Sequence, residues 1–344
     1  MALRLLLLGC GAFGRVHLRA LARLGRPTEV LAFDPDAAMC AATAADFPDL
    51  RFAASVEEGL SWCNAAIVVT PVPTHAALAE AVLRADRDLF LEKPATETVA
   101  EAEHLARLAA ERRRIAQVGL YFRFHPKALA LKRLVVRGEF GPLHYLAARF
   151  SGLKRARGDS GALLNDAVHF ADLLPWLAGA PVTQVFSQMA DPLGRGREDL
   201  AVIQLRFASG AIGLIEAGCV LPGRWPDAVV PGAETRKEIV VAGRDMLAEV
   251  DFAAETMVTR RGRHRPGEGG AWLPDHAPRA EWGVLGADPV TVVGYELSRF
   301  LDSVATRRLP EADLVSGAVA PARVLDAARR SAQEGRPVSP DEIA

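Results

Sequence analysis

Gly9, Gly11 and Gly14 have the spacing of a phosphate cradle, Gly-x-Gly-x-x-Gly, set between an apolar run and an amphipathic segment. The first glycine permits a tight turn, the second lets a pyrophosphate approach the backbone, and the third lets helix pack on strand. The phosphates would meet the unpaired N–H groups of a helix start, contributed by Gly11, Ala12, Phe13 and Gly14. A second apolar strand ends in Asp34, twenty residues beyond Gly14, where a carboxylate can accept both ribose hydroxyls of an adenosine. Asp34 would repel a 2′-phosphate, and Phe33 and Pro35 beside it bring no cation, so the expected cofactor is NAD. Lys93 follows a further strand end, where its charge could favour an alkoxide forming as hydride leaves. Asn165, His169 and Asp172 share one face at helical spacing, and an imidazole titrates in the range that suits proton transfer near neutrality.

The elements that must position these residues alternate through the first third of the chain. Apolar strands begin at Leu3, at Glu29–Phe33, Ala65–Thr70, Asp88–Leu91 and Ile115–Leu120, with helical patterns between them. This predicts a doubly wound parallel sheet, a Rossmann domain over residues 1–121, with ligands at the carboxyl ends of its strands. From Tyr121 the order changes to a few helices and six strand-like runs with hairpin signals: Val182–Met189, Asp199–Phe207, Ala211–Val220, Arg236–Ala242, Met246–Phe252 and Thr256–Arg260. Consecutive strands without intervening helices predict an α+β domain over residues 122–344, built on a large, mostly antiparallel open sheet. Its last helix is a candidate to pack back on the first domain. Gly262–Pro289, rich in Gly and Pro, reads as a long unstructured segment.

At 344 residues the chain can hold two substantial cores, and a net charge of −1 gives no reason to expect nucleic acid or an anionic membrane as partner. Four cysteines without paired spacing suit a reduced, cytoplasmic protein. Arg4 interrupts the first apolar run, which reads as a strand rather than a leader. No His, Cys or carboxylate cluster has metal-ligand spacing, so no metal is expected. Lys154, Arg155 and Arg157 lie before the His169 helix and are candidates for holding an anionic group. Asp199–Phe207 and Ala211–Val220 are apolar on both sets of alternate positions, which predicts a covered outer sheet face and hence a homo-oligomer. Cover by helices of the same domain is the alternative.

Taken together, Gly9-Cys-Gly-Ala-Phe-Gly14, Thr70-Pro71-Val72-Pro-Thr-His75, Glu92-Lys93-Pro94, Gly119-Leu-Tyr121-Phe-Arg123-Phe-His-Pro126 and Gly161-Ala-Leu-Leu-Asn165-Asp166-Ala-Val-His169-Phe-Ala-Asp172 resemble the glucose–fructose oxidoreductase / inositol 2-dehydrogenase (Gfo/Idh/MocA) family. The resemblance spans nearly the whole chain. It implies an oxidoreductase acting on sugars or cyclitols, assembled as a homodimer or homotetramer through the open sheet. It implies that Lys93 is the catalytic lysine, in a Lys-Pro bond commonly cis in that family, and that His169 contacts the reacting hydroxyl and relays its proton. Glu92 and the loop Thr70, Pro71, Val72 to His75 would line the nicotinamide ribose, with Lys93 and Tyr121 completing the cofactor set. Arg123, Asn165 and Asp166 join Lys93 and His169 as substrate-binding residues. In two places the sequence departs from the commonest pattern. Asn165 stands where many members have Asp, which moves any acid/base role to His169 and Lys93, and Tyr121 stands where Asn or Gln is frequent.

The function expected is NAD-dependent oxidation of a secondary hydroxyl on a sugar, a sugar derivative such as a nucleotide-linked amino sugar, or a cyclitol. A glycosidase using transient oxidation by NAD, and a nucleotide-sensing protein without turnover, are the rival expectations.

Overall fold

The computed structural model describes residues 3–227, 230–284 and 288–343. The chain divides into two compact units, one of residues up to Phe124 with Asp288–Ala322, the other of His125–Ala287 with the residues from Arg323 onward.

In the first unit the order is β1 (Leu3–Leu8), α1 (Ala12–Leu24), β2 (Thr28–Phe33), α2 (Ala37–Asp46), β3 (Arg51–Phe52), α3 (Val56–Trp62), β4 (Ala65–Val68), α4 (His75–Arg84), β5 (Asp88–Glu92), α5 (Val99–Arg112), β6 (Ala116–Gly119) and the short α6 (Tyr121–Phe124). The six strands are parallel in the order β3-β2-β1-β4-β5-β6. That order reverses direction between β1 and β4, so a crevice opens beyond the end of β1, where the glycines lie. Leu5–Leu8 and Ala65–Val68 are wholly buried, as strands covered on both faces must be.

The second unit contains α7 (Pro126–Val136), β7 (Leu143–Ser151), α8 (Val168–Ala178), β8 (Val182–Ala190), β9 (Leu200–Phe207), β10 (Ile212–Gly218), β11 (Trp225–Pro226), β12 (Glu234–Gly243), β13 (Met246–Asp251), β14 (Thr256–Pro266), β15 (Trp272–His276) and β16 (Ala280–Gly283). Its sheet runs β15-β14-β13-β12-β7-β10-β9-β8, antiparallel except where β7 meets β10. Alternate residues Ala201, Ile203, Leu205 and Phe207 face the core, while Val202, Gln204 and Arg206 are exposed.

Two expectations need correction. Residues 288–322 belong with the first unit rather than with residues 122–287. The helix α9 (Pro289–Thr306) packs along α1, and its Val293, Leu297, Phe300 and Leu301 enter the same core as Leu5, Leu21 and Phe90. The final helix, α10 (Ala320–Glu334), lies largely in the second unit. An amphipathic pattern specifies a buried stripe without saying which surface buries it. The segment expected to lack structure instead forms a ribbon. The strand β14 runs on to Pro266 against β15, and β16 returns to pair with the start of β14. Cross-strand pairing leaves no local trace when Gly and Pro dominate the composition. Residues 285–287 of that segment lie outside the described residues.

Candidate active site

Two sets of chemistry-bearing side chains are present, one in each unit. The first is built on the β1–α1 turn. Gly9 has φ +104°, and a Cβ there would sit 2.5 Å from the Val69 carbonyl oxygen. A Cβ on Gly14 would fall inside contact distance of the Gly9 carbonyl, so α1 can approach β1 only with glycine at that position. Over Gly11, the N-cap of α1, there is open space: a Cβ would meet nothing within 4 Å. The first intrahelical bond runs from Arg15 N–H to the Gly11 carbonyl, which leaves the Ala12, Phe13 and Gly14 N–H groups without helical acceptors. At the end of β2, Asp34 accepts the Cys10 N–H at 2.8 Å on one carboxylate oxygen and the Asp36 N–H at 2.9 Å on the other. The aspartate is half-buried and each oxygen keeps a lone-pair direction for a ribose hydroxyl. Burial, with Cys40 and Asp34 nearby, pushes the Cys10 thiol up to about 12, so it stays a neutral packing residue.

Lys93 follows β5, and the Lys93–Pro94 bond is cis. Glu92 is 7% exposed; its Oε1 lies 2.8 Å from His17 Nε2 and its Oε2 accepts the Lys93 N–H at 3.1 Å. His75, at the start of α4, places Nε2 2.8 Å from the Thr70 carbonyl and Nδ1 2.9 Å from the Pro94 carbonyl. One buried ring thus bridges the Thr70–Thr74 loop and the Lys93–Pro94 corner, donating to one carbonyl when neutral and to both when protonated. Burial pushes this imidazole below its ordinary pKa, against the upward pull of the two carbonyls. Tyr121 begins α6 with its ring edge against Phe122. Arg123 is buried and donates to the carbonyls of Glu311 at 2.8 Å and Ser316 at 3.1 Å. Its guanidinium therefore holds the returning segment in the first unit.

The second set surrounds Phe150 at the end of β7. His169, on α8 and 7% exposed, lies with its ring 5.4 Å from that of Phe150. Lys154 Nζ stands 4.1 Å and Lys237 Nζ 5.0 Å from the same ring centroid, close enough for cation–π attraction. The turn before α8, Leu163–Ala167, is a π-helix. Its wider turn brings Asn165 and Asp166 together, although α spacing separates their faces: Asn165 Nδ2 donates to Asp166 Oδ1 at 2.9 Å. The same oxygen accepts Lys154 Nζ at 2.5 Å. Arg157 forms a two-bond pair with Asp159, whose carboxyl is held down to about 2 by that guanidinium. Two of the three cations considered for an anion are thus already on carboxylates, and Arg155 is exposed.

Sequence reasoning missed the partnership of His17 with Glu92, the Lys154–Asp166 pair and the π-turn. The π-turn has the clearest available signal: two adjacent polar residues, Asn165 and Asp166, opening an otherwise apolar helix. Such insertions concentrate at functional sites.

The model of an oxidoreductase family with an NAD-binding Rossmann fold matches residues 3–120, and that of the GFO/IDH/MocA C-terminal domain matches residues 128–245. The chain belongs to the GFO/IDH/MocA oxidoreductase family. The inositol 2-dehydrogenase of Leifsonia xyli is 34% identical over 184 residues, a match that spans about half of each protein, 52% of this chain and 54% of that one. The UDP-N-acetylglucosamine 3-dehydrogenase of Acidithiobacillus ferrooxidans is 26% identical over 93% of both chains. Its solved structure superposes with a TM-score of 0.76 at 24% identity, covering 97% of this chain and 98% of that one. GenD2 from gentamicin A biosynthesis, solved in complex with NAD, superposes at 0.79 with 23% identity, covering 98% and 96%. The structural likenesses show a shared two-domain fold. The glycine cradle, the helix-start N–H groups and Asp34 fit the NAD that the first domain of this family binds.

Proposed function

We propose that this GFO/IDH/MocA oxidoreductase oxidises a secondary hydroxyl of a sugar, a sugar derivative or a cyclitol. Bound NAD supplies a hydride acceptor at nicotinamide C4. His169 takes the hydroxyl proton on an imidazole nitrogen, and Lys93 Nζ hydrogen-bonds the oxygen as negative charge develops on it. Asn165 binds a substrate hydroxyl but takes no proton. Asp166 acts through Asn165 and Lys154 by fixing their side chains. The observation that carries the reading is the corner at the end of β5: Lys93 stands at the carboxyl edge of an NAD-binding sheet, its backbone clamped by Glu92 and its proline tied to His75. The named activities of the relatives on inositol and on UDP-N-acetylglucosamine support the substrate class.

The outer face of the large sheet belongs to the same proposal. Val202, Ile212, Val240 and Leu247 are exposed on it, Ile212 by 50%. A second copy covers this face in a homodimer or homotetramer. The test of function is a panel of cyclitols, sugars and nucleotide sugars, each assayed for the appearance of reduced NAD. Turnover on at least one class is expected, and tight NAD binding with none across the panel would overturn the enzyme reading in favour of a sensor.

A further inference from the structure

The sheet face of the first unit that is covered by α1 and α9 carries a polar pocket inside an otherwise apolar core. Phe90 and Glu92 of β5 lie beside Gln117 and Gly119 of β6 in parallel register, so all four positions share that face. His17 of α1 and Phe300 of α9 pack on Phe90, with ring centroids 5.5 and 5.7 Å away. Glu296 stands one turn before Phe300 on α9 and, like His17 and Gln117, has no exposed surface. A Cβ on Gly119 would come within 2.8 Å of Glu92 Oε1, so only glycine leaves room for this carboxylate.

The hydrogen bonds of this pocket do not balance with every carboxyl ionised. Three donors are placed: His17 Nε2 toward Glu92 Oε1, the Lys93 N–H to Glu92 Oε2, and Gln117 Nε2 to the Glu296 backbone carbonyl at 3.0 Å. That last bond fixes the Gln117 amide, because turning it over would set its oxygen against a carbonyl. Among the described residues, Glu296 Oε1, Glu296 Oε2, Gln117 Oε1 and His17 Nδ1 then find no partner, and all four are acceptors if Glu296 is ionised and His17 carries its proton on Nε2. Buried acceptors left without donors are costly, and a buried unpaired carboxylate costs most of all.

We infer that Glu296 is held as a neutral carboxylic acid in the pocket it shares with Glu92, and that an uncharged polar side chain there is what keeps Glu92 and, through it, Lys93 in place. One O–H group turns one of these four acceptors into a donor and removes the unpaired buried charge, the costliest part of the imbalance. Burial pushes the Glu296 carboxyl well above its ordinary value, and the charge of Glu92 pushes it the same way. The titratable groups on the packed elements are His17 on α1, Asp88 and Glu92 on β5 and Tyr121 on α6; Asp88 accepts the guanidinium of Arg307, Arg15 and Arg19 of α1 pair with Asp46 and Arg23 with Asp288, and Arg123 of α6 is turned to the carbonyls of Glu311 and Ser316. Glu92 links this pocket to the reaction because its second oxygen holds the Lys93 backbone. Glu296 is thus a positioning residue, one that reaches no reacting atom itself.

The inference deepens the proposed function and rests on the role given there to Lys93, but its first test needs no turnover. Infrared difference spectra of the intact protein at neutral pH, wild type against Glu296→Gln, are expected to contain the carbonyl stretch of a protonated carboxylic acid that the variant lacks. Its absence, as when a bound water supplies the donors to an ionised Glu296, overturns the inference. The second test is kinetic. Glu296→Gln, which stays neutral and keeps a donor, is expected to retain most of kcat. Glu296→Leu is expected to lower kcat roughly 10- to 100-fold with KM little changed, the scale of a misplaced catalytic group. Equal activity in the two variants, whether both high or both low, overturns the positioning role. A wild-type protein that has the band but reduces no NAD would instead sink the proposed function and leave the protonation standing.

Discussion

Single side chains decide the chemistry, and two substitutions test it directly. Lys93→Ala and His169→Ala are each expected to lower kcat by ~10²–10⁴-fold, the usual worth of a positioned proton-transfer group. NAD affinity should fall far less than kcat, even for Lys93 with its expected place in the cofactor set, because the glycine cradle is untouched; loss of NAD binding would mark a structural role. Asp34 is expected to set the cofactor preference. A 2′-phosphate about 4 Å from its carboxylate would feel ~1–4 kcal/mol of repulsion per unit charge, so Asp34→Ser should lower the ratio of kcat/KM for NAD over NADP by roughly tenfold or more. An unchanged ratio would remove Asp34 from the discrimination. Because Asp34 also accepts the Cys10 and Asp36 N–H groups, the KM for NAD should rise in the same variant.

At the scale of elements, the π-turn and the strand that faces it form one device. Lys154 follows β7, and its amine reaches the carboxylate of Asp166 in the turn before α8, with the two side chains only 10% and 2% exposed. Burying both partners makes the pair of little net benefit, but breaking it leaves a buried charge alone. Asp166→Ala is therefore expected to cost ~3–5 kcal/mol, read as a lowered midpoint in denaturant. The double variant Asp166→Ala, Lys154→Met should recover much of that loss. A single variant as stable as wild type would show that Lys154 finds water there. The pairing occupies Lys154, as the bonds to Asp159 occupy Arg157, so either would have to leave its carboxylate to take up an anion.

For the whole molecule, two properties are open to measurement. Light scattering at micromolar concentration is expected to give a dimer or tetramer, and Ile212→Lys with Val240→Glu should dissociate it while NAD binding persists. A wild-type monomer would end that proposal. Stability should also depend on pH through Glu296. Its carboxyl is raised in the folded protein, so the native state holds a proton that the unfolded chain releases above the ordinary carboxylate value of 4.5. The contribution is complete below that pH and is lost as pH rises toward the folded value. Wild-type Tm should therefore fall relative to that of Glu296→Gln as pH rises above the ordinary carboxylate value. A constant difference would mean that Glu296 is ionised in the fold.

Much of this protein was legible along the chain. Gly9 and Gly14 are legible because the constraints on them are local: a positive φ, and a helix start against its own strand. The buried strands Leu5–Leu8 and Ala65–Val68 read as a parallel sheet because burial on both faces leaves no polar alternation. Other features were decided only by the tertiary structure. Nothing near His17 in sequence shows that it meets Glu92, 75 residues away. Nothing in α9 shows that it returns to α1, or that Glu296 would be sealed beside a second carboxylate. Nothing around Arg123 in sequence shows that it would bond the carbonyls of Glu311 and Ser316, nearly two hundred residues on. Periodicity reports how much of an element is buried, whereas the partner that buries it, and with it the protonation state of a group like Glu296, is fixed only when distant segments close on one another.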